Sequence, residues 1–119
     1  MQRRDELCLA DIVEAAQAIR EFLTRPEAAG KEGFVKDDLV RSAVLQKLTV
    51  IGEAAARVSE ETAAEYPDVP WRQAGGMRNL LVHAYFSVDW DIVWTTATES
   101  VPRLEAQIAE ILESSRAEG

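Results

Sequence analysis

From Cys8 to Leu112 the apolar residues return every three or four positions, and no stretch alternates with the period of two that a half-buried strand needs. That periodicity restricts the chain to packed helices. In the first segment Cys8, Ile12, Ala15, Ile19, Phe22 and Leu23 share one face, while Asp11, Glu14, Gln17 and Glu21 lie opposite. Thr24-Arg25-Pro26 closes this helix, and Glu27 to Gly33, with two glycines, is expected to be a polar loop. A second helix is predicted to open at Asp37-Asp38, whose charges suit a helix N-terminus. Its apolar stripe is Val40, Val44, Leu48, Ile51, Ala55 and Val58, with Glu53 and Arg57 paired on the outer side. A short helical stretch from Ser59 to Tyr66 ends at Pro67-Asp68-Val69-Pro70.

A third helix is predicted from Trp71 to about His83 or Ala84. Phe86-Ser87-Val88 forms a short connection, and Asp89 caps a fourth helix that buries Trp90, Val93, Trp94 and Ala97. Ser100 as cap and Pro102 in the first turn open a last helix carrying Leu104, Ile108, Ile111 and Leu112, with residues 114–119 as a frayed tail. Long helices on short connections predict one all-α domain over residues 1–119, an up-and-down antiparallel bundle of four to five helices. Gly52 and Gly76 are expected where helices approach closely, and Cys8 as a small core residue. Trp71, Trp90 and Trp94 are expected as core or interface anchors rather than base-stacking platforms.

The bulk numbers limit the chemistry. Of the 119 residues 47% are hydrophobic and 29% charged, the balance of a soluble globular protein. No apolar run approaches the roughly 20 residues of a membrane span, and the first residues do not resemble a signal peptide. The single cysteine has no disulfide partner within the chain, so a reducing, cytoplasmic location is expected. With one histidine, one cysteine and no HExxH-like or EF-hand-like spacing, neither a metal nor another cofactor is expected. The net charge of −8 argues against a broad nucleic-acid-binding surface and, taken alone, favours a protein partner.

Against that background Arg78-Asn79-Leu80-Leu81-Val82-His83-Ala84-Tyr85 stands out. His83 is the only histidine, five positions after an arginine and two before a tyrosine. At 100° per residue Met77, Leu80, Leu81 and Ala84 form the core stripe. Arg78 and Tyr85 then lie on one margin, and His83 lies with Asn79 and Arg72 on the other, beside the open floor left by Gly76. One straight helix does not join Arg78 to His83. A curled arginine, an early helix end or a second copy of the chain would do so, and two-fold symmetry favours the last.

Histidine moves protons near neutral pH, and arginine holds phosphate oxygens with a planar, permanently charged fork. RNA carries its own nucleophile, the 2′-OH, beside the scissile phosphate, so these two groups suit metal-free RNA cleavage. Asn79 can orient the imidazole or the sugar, Arg72 can help position substrate, and Tyr85 can position a phosphate or stack on a base. Each has a structural alternative: His83 as a helix-ending residue, Arg78 as a surface ion-pair partner, Tyr85 as packing at the bundle end.

In these residues the chain resembles the HEPN superfamily, and within it the HepT-like toxin ribonucleases. Five blocks within roughly residues 34–110 carry the resemblance: Ile51-Gly52-Glu53-Ala54, Pro67-Asp68-Val69-Pro70-Trp71, Gly76-Met77-Arg78-Asn79, Tyr85-Phe86-Ser87-Val88-Asp89 and Ile92-Val93-Trp94. It implies a helical bundle that dimerises around the Arg-x4-His-x-Tyr helix and a metal-independent endoribonuclease site between protomers. In that family pattern Arg78 and His83 match the catalytic pair and Asn79 the polar residue after the arginine. Tyr85 matches the tyrosine that a partner minimal nucleotidyltransferase, the antitoxin, modifies with AMP. Two other functions fit the same residues: a catalytically silent scaffold for a nucleotidyltransferase, and a nucleotide-binding module using Arg78 and Tyr85.

Overall fold

The computed structural model describes residues 1–80 and 87–118. Its helices are α1 (Arg3–Phe22), α2 (Gly30–Lys36), α3 (Asp38–Arg57), α4 (Glu60–Glu65), α5 (Trp71–Gly75), α6 (Trp90–Thr95) and α7 (Val101–Glu118), and the described residues include no strand. The all-α bundle expected from the periodicity is present, with several short helices added to three long ones. α1 packs on both α3 and α7. Arg4, at the start of α1, donates to the carbonyl of Arg57 at the end of α3. Arg20, near the end of α1, pairs with Glu105 near the start of α7. Both pairings are therefore antiparallel.

The core follows the faces read from the sequence, with Leu9, Ala16 and Leu45 added to them, whereas Phe22, Leu23, Val58, Trp90 and Trp94, expected on the buried side, are only partly buried. Cys8, Leu9, Ile12, Ala15, Ala16 and Ile19 of α1 meet Val40, Val44, Leu45, Leu48 and Ile51 of α3, and Leu104, Ile108 and Ile111 of α7. Asp37 caps α3, accepting from the amide of Val40, and Asp89 caps α6, accepting from Asp91 and Ile92. Cys8 is buried, and Trp71, Trp90 and Trp94 pack half-buried against the core. The exposed Glu53 and Arg57 lie 3.9 Å apart, a separation at which an ion pair on the surface contributes little.

Four expectations are corrected. Glu27 to Gly33 is not a loop: a 3-10 turn at Pro26–Ala28 leads into α2, and Gly30 at φ +69° makes the bend between them. Buried Phe34 explains why α2 forms, because its ring sits between Trp90 and Trp94 at centroid distances of 6.5 and 5.3 Å. The third helix is not a single α-helix: α5 ends at Gly75, and Gly76–Leu80 winds as a tighter 3-10 helix. Ser100 does not open a new helix, since α6 continues into α7 through a π turn at Thr96–Ser100. There the amide of Val101 donates to the carbonyl of Thr96, a wide turn that accommodates Pro102, which has no amide to offer. Finally, α7 runs to Glu118, so residues 114–118 are helical rather than frayed.

A buried carboxylate was not foreseen. Asp5, in the first turn of α1, has no exposed surface. It accepts from the Ser59 amide at 3.0 Å, the Ser59 hydroxyl at 2.6 Å and the Thr62 hydroxyl at 2.6 Å. Ser59 is itself the cap of α4, so one side chain ties the start of α1 to the start of α4. Burial pushes the Asp5 carboxyl up, but the hydrogen bonds from Ser59 and Thr62 outweigh it and hold the group below the ordinary carboxylate value.

Candidate active site

The segment that carries Arg72, Arg78 and Asn79 begins at Pro70-Trp71, where the indole N–H of Trp71 donates to the carbonyl of Tyr66 at 2.9 Å. That bond and buried Val69 and Ala74 fix the angle at which α5 leaves the preceding turn. Met77, also buried, anchors the 3-10 helix to the core. Arg72, Arg78 and Asn79 are left exposed on the outside of this segment.

α5 and the 3-10 helix lie along α3, with main chain brought close to main chain at Gly52. A β-carbon placed on Gly52 would stand 2.3 Å from the Arg78 amide nitrogen and 2.9 Å from its β-carbon, closer than real atoms pack, and a tight 3.0 Å from its α-carbon. One turn away the contact is ordinary, since a β-carbon on Gly75 would lie 3.8 Å from that of Ala56. The close approach expected at Gly52 is therefore present. At Gly76 it is not: a β-carbon there would meet nothing within 4 Å among the described residues, which leaves only the open space also expected at that glycine.

The 3-10 winding changes the directions deduced for a plain α-helix. Each residue turns about 120° instead of 100°, so the error accumulates from Gly76 onward. The division that set Arg78 on one margin and Asn79 with Arg72 on the other does not carry across Gly76. His83 and Tyr85 lie outside the described residues, as do Leu81 and Ala84 of the expected core stripe.

Electrostatically the segment differs from the rest of the chain. From Val69 to Val88 there is no aspartate or glutamate, although the whole chain holds 21. Arg20, Arg25, Arg41 and Arg57 each lean on a carboxylate. The side chains of Arg72 and Arg78, like those of Arg3, Arg103 and Arg116, make no ion pair or hydrogen bond among the described residues. Along the sequence the stretch from Val69 to Val88 is thus cationic within an acidic chain. Its signal was present in the sequence, as the gap between Asp68 and Asp89, and the overall charge of −8 masked it. No group of three or more histidine, cysteine, aspartate or glutamate side chains that could hold a metal occurs among the described residues. No described helix is long and apolar enough to cross a membrane.

Comparison with known proteins gives a consistent outcome. The family model described as Ribonuclease HepT-like matches residues 12–111. The chain is 36% identical over 111 residues to "Probable ribonuclease HepT" of Thermococcus cleftensis, covering 93% of this chain and 98% of that one. It is 38% identical over 97 residues to a "Putative RNase" of Caldanaerobacter subterraneus, covering 81% and 87%. With a "Putative RNase" of Methanocaldococcus jannaschii it shares 32% over 109 residues, covering 91% and 97%. No solved structure matches. A match that spans both the helical scaffold and the Arg78 strip places this chain in the HepT-like ribonuclease family of the HEPN superfamily.

Proposed function

We propose that this chain is an endoribonuclease that cuts single-stranded RNA without a metal ion, using Arg78 and His83. The observation that carries the proposal is the placement of Arg78: exposed, without a partner among the described residues, on an acid-free strip whose backbone is seated on α3. An unpaired guanidinium on a fixed mount is suited to the two non-bridging oxygens of a phosphodiester. His83 takes the proton of the 2′-OH as that oxygen attacks phosphorus, and a proton is returned to the departing 5′ oxygen. The products are a 2′,3′-cyclic phosphate and a 5′-hydroxyl. Arg78 stabilises the charge that builds on phosphorus oxygens, while Asn79, Tyr85 and Arg72 position the strand. The active unit is a homodimer in which the second copy completes the cleft.

In the same proposal a nucleotidyltransferase antitoxin silences the enzyme in the cytoplasm. The Tyr85 hydroxyl attacks the α-phosphorus of ATP, pyrophosphate leaves, and AMP stays on the tyrosine. The added phosphate then competes with RNA for Arg78.

Purified protein is expected to cleave single-stranded RNA in EDTA and to leave cyclic phosphate ends. Arg78→Ala and His83→Ala should each lower the rate by at least roughly 100-fold. Cleavage that persists in folded His83→Ala protein overturns the mechanism. With the partner enzyme and ATP, intact mass should rise by whole AMP units, and Tyr85→Phe should prevent the rise. The net charge of −8 favours a second function, a non-catalytic scaffold for the nucleotidyltransferase. It predicts tight binding of that partner with no RNA cleavage at all.

A further inference from the structure

We propose that Gly52 is a positioning residue for Arg78, and that its lack of a side chain sets where the guanidinium stands. The inference rests on the role given to Arg78 above. The geometry is specific to this pair. A β-carbon on Gly52 would lie 2.3 Å from the Arg78 amide nitrogen, 2.9 Å from its β-carbon and 3.0 Å from its α-carbon, so all three of its nearest neighbours belong to Arg78. Two of those three atoms are main chain and cannot swing aside as the end of a flexible side chain could. A methyl group at position 52 must therefore move the backbone that bears the guanidinium.

The rest of the interface would not feel the same push. Gly75 and Ala56 meet at ordinary van der Waals distance, and Gly76 faces open space among the described residues. Ile51, on the neighbouring face of α3, is fully buried in the core and holds that helix in place. The lighter side of the contact is the short 3-10 helix, so the displacement falls on Gly76–Leu80. A shift of about 1 Å in a group that supports a transition state costs up to roughly 100-fold in rate.

The test is a double-mutant cycle on RNA cleavage, with kcat and KM measured separately and thermal melts run on each variant. Gly52→Ala is expected to lower kcat roughly 10- to 100-fold with little change in KM. Gly75→Ala, a glycine replacement at the same interface, is expected to leave both constants unchanged. In an Arg78→Ala background Gly52→Ala should cost nothing further, because the group it misplaces is already gone. A Gly52→Ala loss of equal size with and without Arg78, or no loss at all, overturns the proposal. If Gly52→Ala does not fold, the contact holds the fold rather than placing the guanidinium, and the proposal is overturned. Should Arg78→Ala alone retain full activity, the catalytic assignment of Arg78 fails, an outcome distinct from additivity in the cycle.

Discussion

Replacing Asp5 by alanine removes the acceptor of three hydrogen bonds that join the start of α1 to the cap of α4. The Ser59 hydroxyl, only partly buried, can turn to another acceptor. The Ser59 amide and the hydroxyl of buried Thr62 lose their partner outright. Hydrogen bonds to a charged acceptor contribute about 1.5–3 kcal/mol each, and a stranded buried donor costs about 1–3 kcal/mol. The two stranded donors put the expected loss for Asp5→Ala at about 2–6 kcal/mol, equivalent to about 1–4 M in the urea midpoint and at least about 6 °C in Tm.

The Asp5 effect has a pH signature. The folded-state pKa of Asp5 lies below its unfolded value of about 3.9, so folding favours the ionised form. That stabilisation is complete above the unfolded value and is lost as pH falls through the lower folded one. The gap between wild type and Asp5→Asn, measured by urea melts from pH 7 to pH 3, should therefore narrow below about pH 4. A cost for Asp5→Ala under about 1 kcal/mol would refute the account of this network, as would a gap to Asp5→Asn that stays constant with pH.

Two further outcomes follow from the core. Phe34→Ala should destabilise the protein by about 3–5 kcal/mol and alter the fluorescence of Trp90 and Trp94, both measurable in one denaturant titration. Burial pushes the Cys8 thiol up, with Asp5 and Asp11 adding to the effect, so a thiol reagent should modify it only as fast as the protein unfolds.

The faces of α1, α3 and α7 were legible because a helix that buries one side must repeat its apolar residues every three to four positions. The aspartate caps were legible because their interaction is local. Features set by distant residues were not. Phe34 lies in a polar-looking stretch, and only Trp90 and Trp94, far along the chain, make a helix of it. Asp5 looked like any first-turn acid, since its partners stand more than fifty positions away. Pro102 after Ser100 carries the local signature of a helix start, yet the π turn lets the helix run on. At the candidate site the Arg78 motif stood out in the sequence by its residue types and spacing. The pairing of Arg78 with Gly52 did not, because a contact made by main chain leaves no side-chain pattern to read. The 3-10 winding of Gly76–Leu80 likewise escaped a phase argument that assumed one helical period throughout.

The seat of Phe34 has a consequence for how the protein is made. Its ring comes from the first third of the chain and the two indoles that clasp it from the last third. During synthesis α1 and α3 can pair as soon as both have left the ribosome, but the side of Phe34 that meets the two indoles stays open until α6 follows. The clasp therefore closes late, and a stalled or truncated product would present an aromatic plug with no socket, a natural handle for chaperones and proteases.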